Sequence, residues 1–318
     1  MQRYQCIQYI RERQQTHPVE LPEDAAPRLR PIPGIRAFVF DIYGTLFSSG
    51  VGDISLAAEG DRDDAIKAAL RARGVDIRPA AANIRLDEQL YRIIHQHHAK
   101  RRQEGCAFPE VDIRDVWRDL LAHLKDRQLV EYTEPADIET LAIDYETRVN
   151  PTQPMPGLSR VLRALKARGA VLGIISNAQF YTPLLFEAHL KATPATMEFC
   201  PHCCIWSYHL LEAKPSTRLY SDAAQALMRH HGIAPESALY IGNDLRNDIR
   251  PAQAVGFKTA LFAGDRRSLR RRTDDPDCQN VQPDLEITHL EQLLLNASES
   301  RRVSRSAPIH QAPRPSQP

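Results

Sequence analysis

The chain has 318 residues, which is enough to bury a sizeable core in one large domain or two smaller ones. Its 41 lysine and arginine residues nearly balance its 40 aspartate and glutamate residues, so no overall electric field favours nucleic acid, and we expect no nucleic-acid partner. No apolar run approaches the ~20 residues that a membrane helix needs, so we expect no membrane partner.

Residues 1–33 are predicted to be an N-terminal extension that lies on the main domain. Tyr4, Ile7 and Ile10 recur at helical spacing, and a proline-rich stretch follows. The first residues lack the apolar core of a secretory signal, and six cysteines are too few for a disulfide framework in a chain of this length. We therefore expect a reducing, cytoplasmic setting.

The first core strand is predicted at residues 37–40, a short apolar run typical of a buried parallel strand. Asp41 follows at once, and Gly44 and Thr45 mark the turn after it. Ligands of open α/β sheets bind at the carboxyl ends of the strands, where an aspartate can attack an electrophile and carry a covalent intermediate. The same aspartate could equally end the strand and cap the turn.

A helical insertion is predicted over residues 49–150. Four amphipathic helices follow one another there, with apolar residues at spacings of three and four; they begin near Asp64, Leu86, Val111 and Pro135. Four such helices in a row suggest a bundle of their own. The core domain is then divided between residues 34–48 and residues 151–295.

Alternation of strands and helices resumes after residue 151. The predicted strands are 170–175, 203–206, 238–241, 258–262 and a weak one after 285. The predicted helices are 158–168, 181–190, 217–231 and 248–255, with a last one before 295. This alternation predicts an α/β fold with a doubly wound, Rossmann-like parallel sheet. The tail, 296–318, is rich in Ser, Arg, Pro and Gln and is predicted to be disordered.

Polar residues follow three of these strands, and one lysine begins a helix between the second and the third. They are Asp41 and Thr45; Ser176 and Asn177; Lys214; and Asn243, Asp244 and Asp248. Because the carboxyl ends of parallel strands share one edge of a sheet, we expect these groups to converge. Paired carboxylates suit Mg²⁺, and a nucleophilic aspartate beside a serine and a lysine suits phosphoryl transfer.

In this order and spacing the four segments resemble the haloacid dehalogenase superfamily over roughly residues 38–295. The helical insertion sits where that family places its small cap domain. The resemblance implies that Asp41 is the nucleophile, that Thr45 shapes its loop, and that Ser176, followed by Asn177, hydrogen-bonds the transferring group. It implies that Lys214 balances charge between nucleophile and substrate.

The resemblance also implies a Mg²⁺ cofactor. The implied ligands are Asp41, the backbone carbonyl of Tyr43, Asp244 and Asp248, with Asn243 as a further candidate. Asn243 stands where the family's phosphatases commonly have their first metal-binding acid, and Asp244, one place later, is the candidate to replace it. This departure leaves the choice between Asn243 and Asp244 open.

Tyr43 is the second departure from the family's phosphatases, which usually carry an aspartate there as general acid for the leaving group. Loss of such an acid should cost about 10²–10⁴ in rate for a poor leaving group. A tyrosine at this place is similar to the family's 2-haloacid dehalogenases, whose halide leaving group needs no proton. Tyr43 could also line the substrate pocket and exclude water.

The function predicted from these residues is a Mg²⁺-dependent phosphatase that acts through an aspartyl-phosphate on a small phosphorylated substrate. Asp244 and Asp248 favour it, because two carboxylates facing an anionic substrate without a metal would repel that substrate. Two alternatives stay open. One is a metal-independent 2-haloacid dehalogenase-like hydrolase, and the other is a catalytically weak binding protein on the same fold.

Three further clusters are interpreted as structural. Cys200 and Cys203 have zinc-like spacing, but no second such pair exists in the sequence, so idle thiols are favoured over zinc or redox chemistry. The five arginines within 266–272 are interpreted as a solvated helix face, with a grip on an anionic substrate as the alternative. His95 and His98 could share a helix face, and we expect surface histidines rather than ligands there.

Overall fold

The computed structural model describes residues 2–14, 18–49 and 59–297. Most of the tail that is predicted to be disordered, 298–318, lies outside the described residues. Among the described residues, no helix combines the length and the apolar character needed to cross a membrane.

The core is a six-stranded parallel sheet, which confirms the predicted α/β class. Its strands in chain order are β1 (Ala37–Phe40), β6 (Val171–Ser176), β7 (Phe199–Trp206), β8 (Ala238–Gly242), β9 (Lys258–Phe262) and β10 (Leu285–Ile287). In space they run β10-β9-β8-β1-β6-β7. After β1 the chain forms β6 and β7 on one side of β1, and it then forms β8, β9 and β10 on the other side. The end of β1 is therefore the point where ligands bind in such sheets.

The described part of the chain also contains four short strands outside this sheet. They are β2 (Phe47–Ser49), β3 (Asp76–Ile77), β4 (Val130–Glu131) and β5 (Thr152–Pro154). The strand β2 pairs antiparallel with β5, and β3 pairs antiparallel with β4. The β2–β5 pair joins the two chain segments that lead into and out of the helical insertion.

Helices cover both faces of the sheet. The ten α-helices of the described residues are α1 (Gln2–Glu12), α2 (Glu59–Arg71), α3 (Leu86–Gln103), α4 (Ile113–Asp126), α5 (Ile138–Val149), α6 (Leu158–Ala167), α7 (Leu184–Leu190), α8 (Ser207–Leu210), α9 (Thr217–His231) and α10 (Arg250–Val255). Alternate residues of β1 point to opposite faces, as in any strand. Phe38 and Phe40 join the cluster with α6 and α7, while Ala37 and Val39 join the cluster with α9.

The helices α2 to α5 have a hydrophobic cluster of their own. Trp117 belongs to it and is fully buried, with its ring 5.5 Å from the ring of Tyr145 in an edge-to-face arrangement. A second core of this kind is what a separately folded bundle requires.

The N-terminal extension is tied to the rest of the molecule at both ends. Cys6, Ile7 and Ile10 of α1 are buried in the main core, whereas Tyr4 is 62% exposed. The predicted helix is present, and its buried stripe runs through positions 6, 7 and 10. Further along, Arg28 pairs its backbone with Glu286 of β10 and so covers part of the sheet edge.

Candidate active site

Asp41 lies directly after β1 and is almost fully buried. Its backbone N–H donates to the carbonyl of Ile241 at 2.9 Å, which extends the β1–β8 ladder past the end of the strand. Its carboxylate Oδ1 accepts hydrogen bonds from Ser176 Oγ at 2.9 Å and Lys214 Nζ at 2.7 Å. Its Oδ2 accepts no hydrogen bond from any described residue. One oxygen is thus anchored and the other is free to react.

Ser176 and Asn177 come from the end of β6, the strand beside β1. Ser176 is fully buried, and its hydroxyl points to Asp41. Asn177 has another role, because its Oδ1 accepts from the backbone N–H of Lys214 at 2.8 Å. Asn177 therefore positions Lys214. The predicted role of Asn177 was catalytic, whereas here it acts through the lysine.

Lys214 bridges two carboxylates. Its Nζ lies 2.7 Å from Oδ1 of Asp41 and 2.6 Å from Oδ1 of Asp248, and its side chain is 5% exposed. Burial opposes the charged form, but the carboxylates of Asp248 and Asp41 outweigh it and raise the pKa of Lys214 above its ordinary value. The residue is therefore a fixed ammonium, with its charge directed at the nucleophile.

Asp248 is the inner member of this chain of charges. Its Oδ1 accepts from Lys214 Nζ and, at 2.9 Å, from the hydroxyl of Tyr240; its Oδ2 accepts from the backbone N–H groups of Asn243 and Asp244, both at 3.0 Å. Burial raises the pKa of Asp248, and Lys214 acts in the opposite direction. Since both oxygens are engaged, this carboxylate holds the loop after β8 together.

The approach of Asp248 depends on the glycine at the end of β8. A Cβ added to Gly242 would lie 2.4 Å from Cγ of Asp248, so a side chain there would push the carboxylate away from the loop. The loop then continues as a π-helical turn, Leu245–Ile249, before α10 begins. Such turns are often found at functional sites.

Asn243 and Thr45 join the loop after β1 to the loop after β8. The Thr45 hydroxyl donates to Oδ1 of Asn243 at 3.1 Å, and the Asn243 amide donates to the carbonyl of Ser268 at 2.6 Å. Gly44 lies against this amide with a φ of +82°. Thr45 therefore supports the loop of the nucleophile, as the sequence suggests.

Asp244 is engaged by backbone N–H groups and by an arginine. Its side chain accepts from the backbone N–H groups of Arg246 and Asn247 and lies 2.6 Å from Nη2 of Arg272. Asp41, Asp244 and Asp248 do not form a group in which one oxygen of each lies within 4.8 Å of the others. The structure thus brings Asp41, Ser176, Lys214 and Asp248 together, and it leaves Asp244 in an ion pair.

Tyr43 lies beside the nucleophile and packs on the main core. Its hydroxyl is 3.1 Å from Oγ1 of Thr182. Burial, with smaller contributions from the charges of Glu146 and Asp41, raises the pKa of Tyr43 above its ordinary value, so the phenol is neutral and a poor proton donor. Its backbone carbonyl accepts no hydrogen bond from the described residues. The side chain fits the predicted pocket role.

Three residues that contribute to this site were not predicted from the sequence. Tyr240 stands in an otherwise apolar strand, and a buried tyrosine there signals a hydroxyl that needs a partner. Glu146 of α5 is buried near Tyr43, and burial raises the pKa of its carboxyl. Arg272 lies 28 positions after its partner Asp244 in the chain. No motif marks either Glu146 or Arg272.

The segment with five arginines is made of turns, so the prediction of a solvated helix face is wrong. Each of these arginines is engaged within the described part of the chain; the partners are Glu20 for Arg266, Asp265 for Arg267, backbone carbonyls for Arg270, Glu286 for Arg271 and Asp244 for Arg272. Gly264 and Asp265 just before the segment, and Ser268 within it, favour turns over a helix. Because these arginines are engaged by side chains and backbone carbonyls of the protein itself, little of their positive charge is left to bind a substrate.

Comparisons with known proteins agree with this geometry. A family model described as haloacid dehalogenase-like hydrolase matches residues 35–256. The chain is 26% identical over 262 residues to a glyceraldehyde 3-phosphate phosphatase of Methanopyrus kandleri, covering 82% of this chain and 96% of that protein. It is 28% identical over 167 residues to a phosphoglycolate phosphatase of Nitrosococcus oceani, covering 52% and 69%.

Solved structures resemble the fold at low identity. A 2-haloacid dehalogenase from Pseudomonas syringae pv. Tomato DC3000 superposes with a TM-score of 0.50 at 19% identity, covering 81% of this chain and 96% of that one. At that identity the likeness concerns the fold, and it says nothing about which bond is hydrolysed.

Proposed function

Because this chain belongs to the haloacid dehalogenase-like hydrolase family, we propose that it is a phosphatase that acts on a small phosphorylated substrate through an aspartyl-phosphate on Asp41. The observation that carries the proposal is the asymmetry of the Asp41 carboxylate, with Oδ1 held by Ser176 and Lys214 and Oδ2 free of partners among the described residues. The relatives named as phosphatases support a phosphate substrate.

The residues suggest a two-step reaction. In the first step Oδ2 of Asp41 attacks phosphorus, the bond to the leaving oxygen breaks, and the phosphoryl group is transferred to the carboxylate. In the second step water attacks phosphorus and releases phosphate with Asp41 regenerated. Lys214 keeps the carboxylate oriented and its ammonium offsets negative charge at the phosphoryl oxygens. The Ser176 hydroxyl can turn from Oδ1 to a phosphoryl oxygen in the same space.

The residues around Asp41 fit Mg²⁺ by their chemistry. The carboxylate of Asp41 and the carbonyl of Tyr43, which accepts no hydrogen bond from the described residues, are hard oxygen donors. Asp41 and Asp248 together carry one more negative charge than Lys214 compensates. We propose that these two donors hold the ion with Asn243 or Asp244, and that Asp248 stays behind as the loop anchor. When bound, Mg²⁺ neutralises phosphoryl charge.

The leaving group decides how well this site works. Tyr43 stands where a general acid is expected, and burial raises its pKa, so little proton donation comes from it. We therefore expect aryl phosphates, whose leaving groups need no proton, to react faster than alkyl phosphates by about 10²–10⁴. Tyr43 is also the observation that favours the second candidate, a 2-haloacid dehalogenase-like activity on a carbon–halogen bond.

The test is release of phosphate and of halide by the purified protein, with and without Mg²⁺. Mg²⁺-dependent release of phosphate from an aryl phosphate is the expected result. Metal-independent release of halide from a 2-haloacid would replace the phosphatase with the second candidate. Release of neither would favour a binding protein on an enzyme fold. The assay is run under reducing conditions, because all six cysteines are free.

A further inference from the structure

A second cluster of reactive side chains lies outside the Asp41 site. It consists of Cys200, Cys203 and His231, whose ligand atoms all lie within 4.8 Å of one another. Nε2 of His231 is 3.2 Å from Sγ of Cys200, and Cys203 is fully buried. Two thiolates and an imidazole are the ligands that Zn²⁺ and other soft divalent metals prefer. We propose that these three residues form a Zn²⁺ site.

The strand β7 is shaped to bring the two cysteines to one side. Residues three apart on a regular strand point to opposite faces. Here Leu172 of β6 pairs with Phe199 and Ile174 pairs with Cys204, so a step of two along β6 matches a step of five along β7. The additional residues form a bulge, and bulges redirect side chains.

Gly173 makes room for this bulge. A Cβ added at Gly173 would lie 2.9 Å from the carbonyl oxygen of Cys203 and 3.2 Å from its Cβ. The close approach of β6 therefore depends on a glycine at this position. The predicted strand at 203–206 missed the bulge, because the pattern of apolar residues begins only after it.

The third ligand comes from the end of α9. His231 is its last residue, and Gly232 follows in the left-handed conformation with a φ of +60°. The last carbonyl groups of a helix have no partner within the helix and carry partial negative charge, which favours a cation nearby. The helix packs directly on β7. A metal bound here would link the edge strand of the sheet to the helix that covers it.

The surroundings of the cluster favour a soft metal over Ca²⁺ or Mg²⁺. Basic side chains that act on His231 include His230, Lys166, Arg36 and His202. The thiolates of Cys200 and Cys203 would supply the negative charge that a divalent ion needs at this place. His202 and His230 stack with ring centroids 4.0 Å apart and are exposed. The three ligands leave the fourth position of a tetrahedral site to solvent.

The place of the cluster in the sheet indicates a structural role. Cys200 lies near the start of β7 and Cys203 near its middle, whereas the last residue of the strand, Trp206, pairs with Ser176. Because Ile174 pairs with both Phe40 and Cys204, Cys203 lies two register steps before the level of Asp41 and two strands away from it, and Cys200 lies further toward the amino ends of the strands. Zn²⁺ bound there should stabilise the pairing of β7 and α9 and leave turnover unchanged.

The test uses the full chain, reduced and freed of metal with a chelator, and titrated with Zn²⁺ against a chromophoric competitor. We expect one equivalent to bind and the melting temperature to rise. Co²⁺ in place of Zn²⁺ should give thiolate-to-metal charge-transfer absorption. Cys200→Ser and His231→Gln, at partly exposed positions, should lose the bound equivalent and the rise in melting temperature.

Cys204→Ser is the matched control, because Cys204 lies on the same strand and its thiol faces the carbonyl of Cys200 at 3.2 Å. This variant should bind Zn²⁺ as the wild type does. Absence of stoichiometric binding, or binding that survives in both Cys200→Ser and His231→Gln, would overturn the site. A Cys200–Cys203 disulfide that persists in the reduced protein, seen by mass spectrometry, would overturn it as well.

Discussion

Two buried carboxylates of this molecule differ in how completely they are paired. Asp144 on α5 is fully buried, and both of its oxygens bind arginines; Arg13 and Arg148 contact Oδ1, and Arg73 lies 3.4 Å from Oδ2. Asp41 is 5% exposed, and the described residues bind only one of its oxygens. Burial alone therefore does not separate a structural acid from a reactive one.

The difference lies in the type and number of the partners. Arginine presents several donors in a rigid plane and is always charged, so three arginines saturate Asp144 and tie α1, the end of α2 and α5 together. Lys214 is a point charge and Ser176 supplies a single hydrogen bond, so they fix Asp41 while leaving Oδ2 available. A saturated carboxylate holds structure, and a half-saturated one is prepared for chemistry.

The largest expected effect is the loss of activity when Asp41, the carboxylate with one unpaired oxygen, is replaced. Asp41→Asn removes the nucleophile, and we expect phosphate release to fall by at least about 10³-fold. Its stability should stay close to wild type, because Lys214 keeps its bond to Asp248. Phosphate release and urea unfolding of the same preparation measure both quantities. Activity within tenfold of wild type would contradict the contrast between the two acids.

Asp144→Asn should show the reverse pattern. An amide cannot neutralise Arg13, Arg73 and Arg148, so the variant leaves buried positive charge, and we expect a loss of about 3–5 kcal/mol in the free energy of unfolding. Turnover per folded molecule should change little, since Asp144 makes no contact with the Asp41 group. Urea unfolding gives the first quantity. A variant as stable as wild type would show that the arginines are solvated instead.

His189 extends the comparison to a partly buried group without a counter-charge. Its Nε2 lies 3.0 Å from Oγ1 of Thr152, its Nδ1 has no partner among the described residues, and burial lowers its pKa from 6.5 to about 4, with Arg11 adding to the shift. The folded pKa lies below the unfolded one, so the unfolded chain binds the proton first. Stability is then complete above pH 6.5 and falls as the pH drops toward 4, by up to about 3 kcal/mol.

The measurement is urea unfolding of wild type and His189→Gln at pH 7, 6, 5 and 4. The glutamine variant keeps a polar group near Thr152 and should lose this part of the pH dependence. His95→Gln, at an exposed position, should keep it. If all three proteins follow the same pH profile, His189 is accessible to solvent and its burial has no thermodynamic effect.

The loop that carries Asp41 offers a smaller and sharper test. Gly34 and Gly44 have φ values of +81° and +82°, but a Cβ at Gly34 meets nothing within 4 Å, while one at Gly44 meets Nδ2 of Asn243 and Cβ of Ser268 at 2.7 Å. Gly34→Ala should cost about 1 kcal/mol for its backbone conformation. Gly44→Ala should cost about 1–3 kcal/mol more from overpacking, and it should lower turnover. Equal losses in thermal unfolding would mean that the loop can move away from Asn243.

The sequence predicted the parts of the site that depend on strand ends. Asp41 and Ser176 follow apolar runs, and the parallel sheet brings those ends together by its topology, so their proximity could be expected. Lys214 was predicted by resemblance and its position is held by Asn177. The pairing of Asp244 with Arg272 could not be predicted, because it depends on the path of a turn-rich segment with no periodic pattern.

The cluster of Cys200, Cys203 and His231 is a second case in which contacts between distant segments could not be predicted from the sequence. A lone pair of cysteines gives too few ligands in the sequence, so idle thiols were the reasonable interpretation. His231 becomes a neighbour only because α9 packs on β7 and the bulge beside Gly173 turns Cys200 toward it. Tertiary contacts between distant segments are invisible to motif spacing. The helices of the insertion, in contrast, follow from local periodicity alone.

The measurement that tests the central claim most directly is capture of the covalent intermediate. The protein, with Mg²⁺ present, is mixed with an aryl phosphate labelled at phosphorus, quenched with acid within one turnover, and digested for peptide mass spectrometry. We predict label on the peptide that contains Asp41 and none in Asp41→Asn. Label on another residue, or phosphate release that persists in Asp41→Asn, would contradict the assignment of Asp41 as the nucleophile.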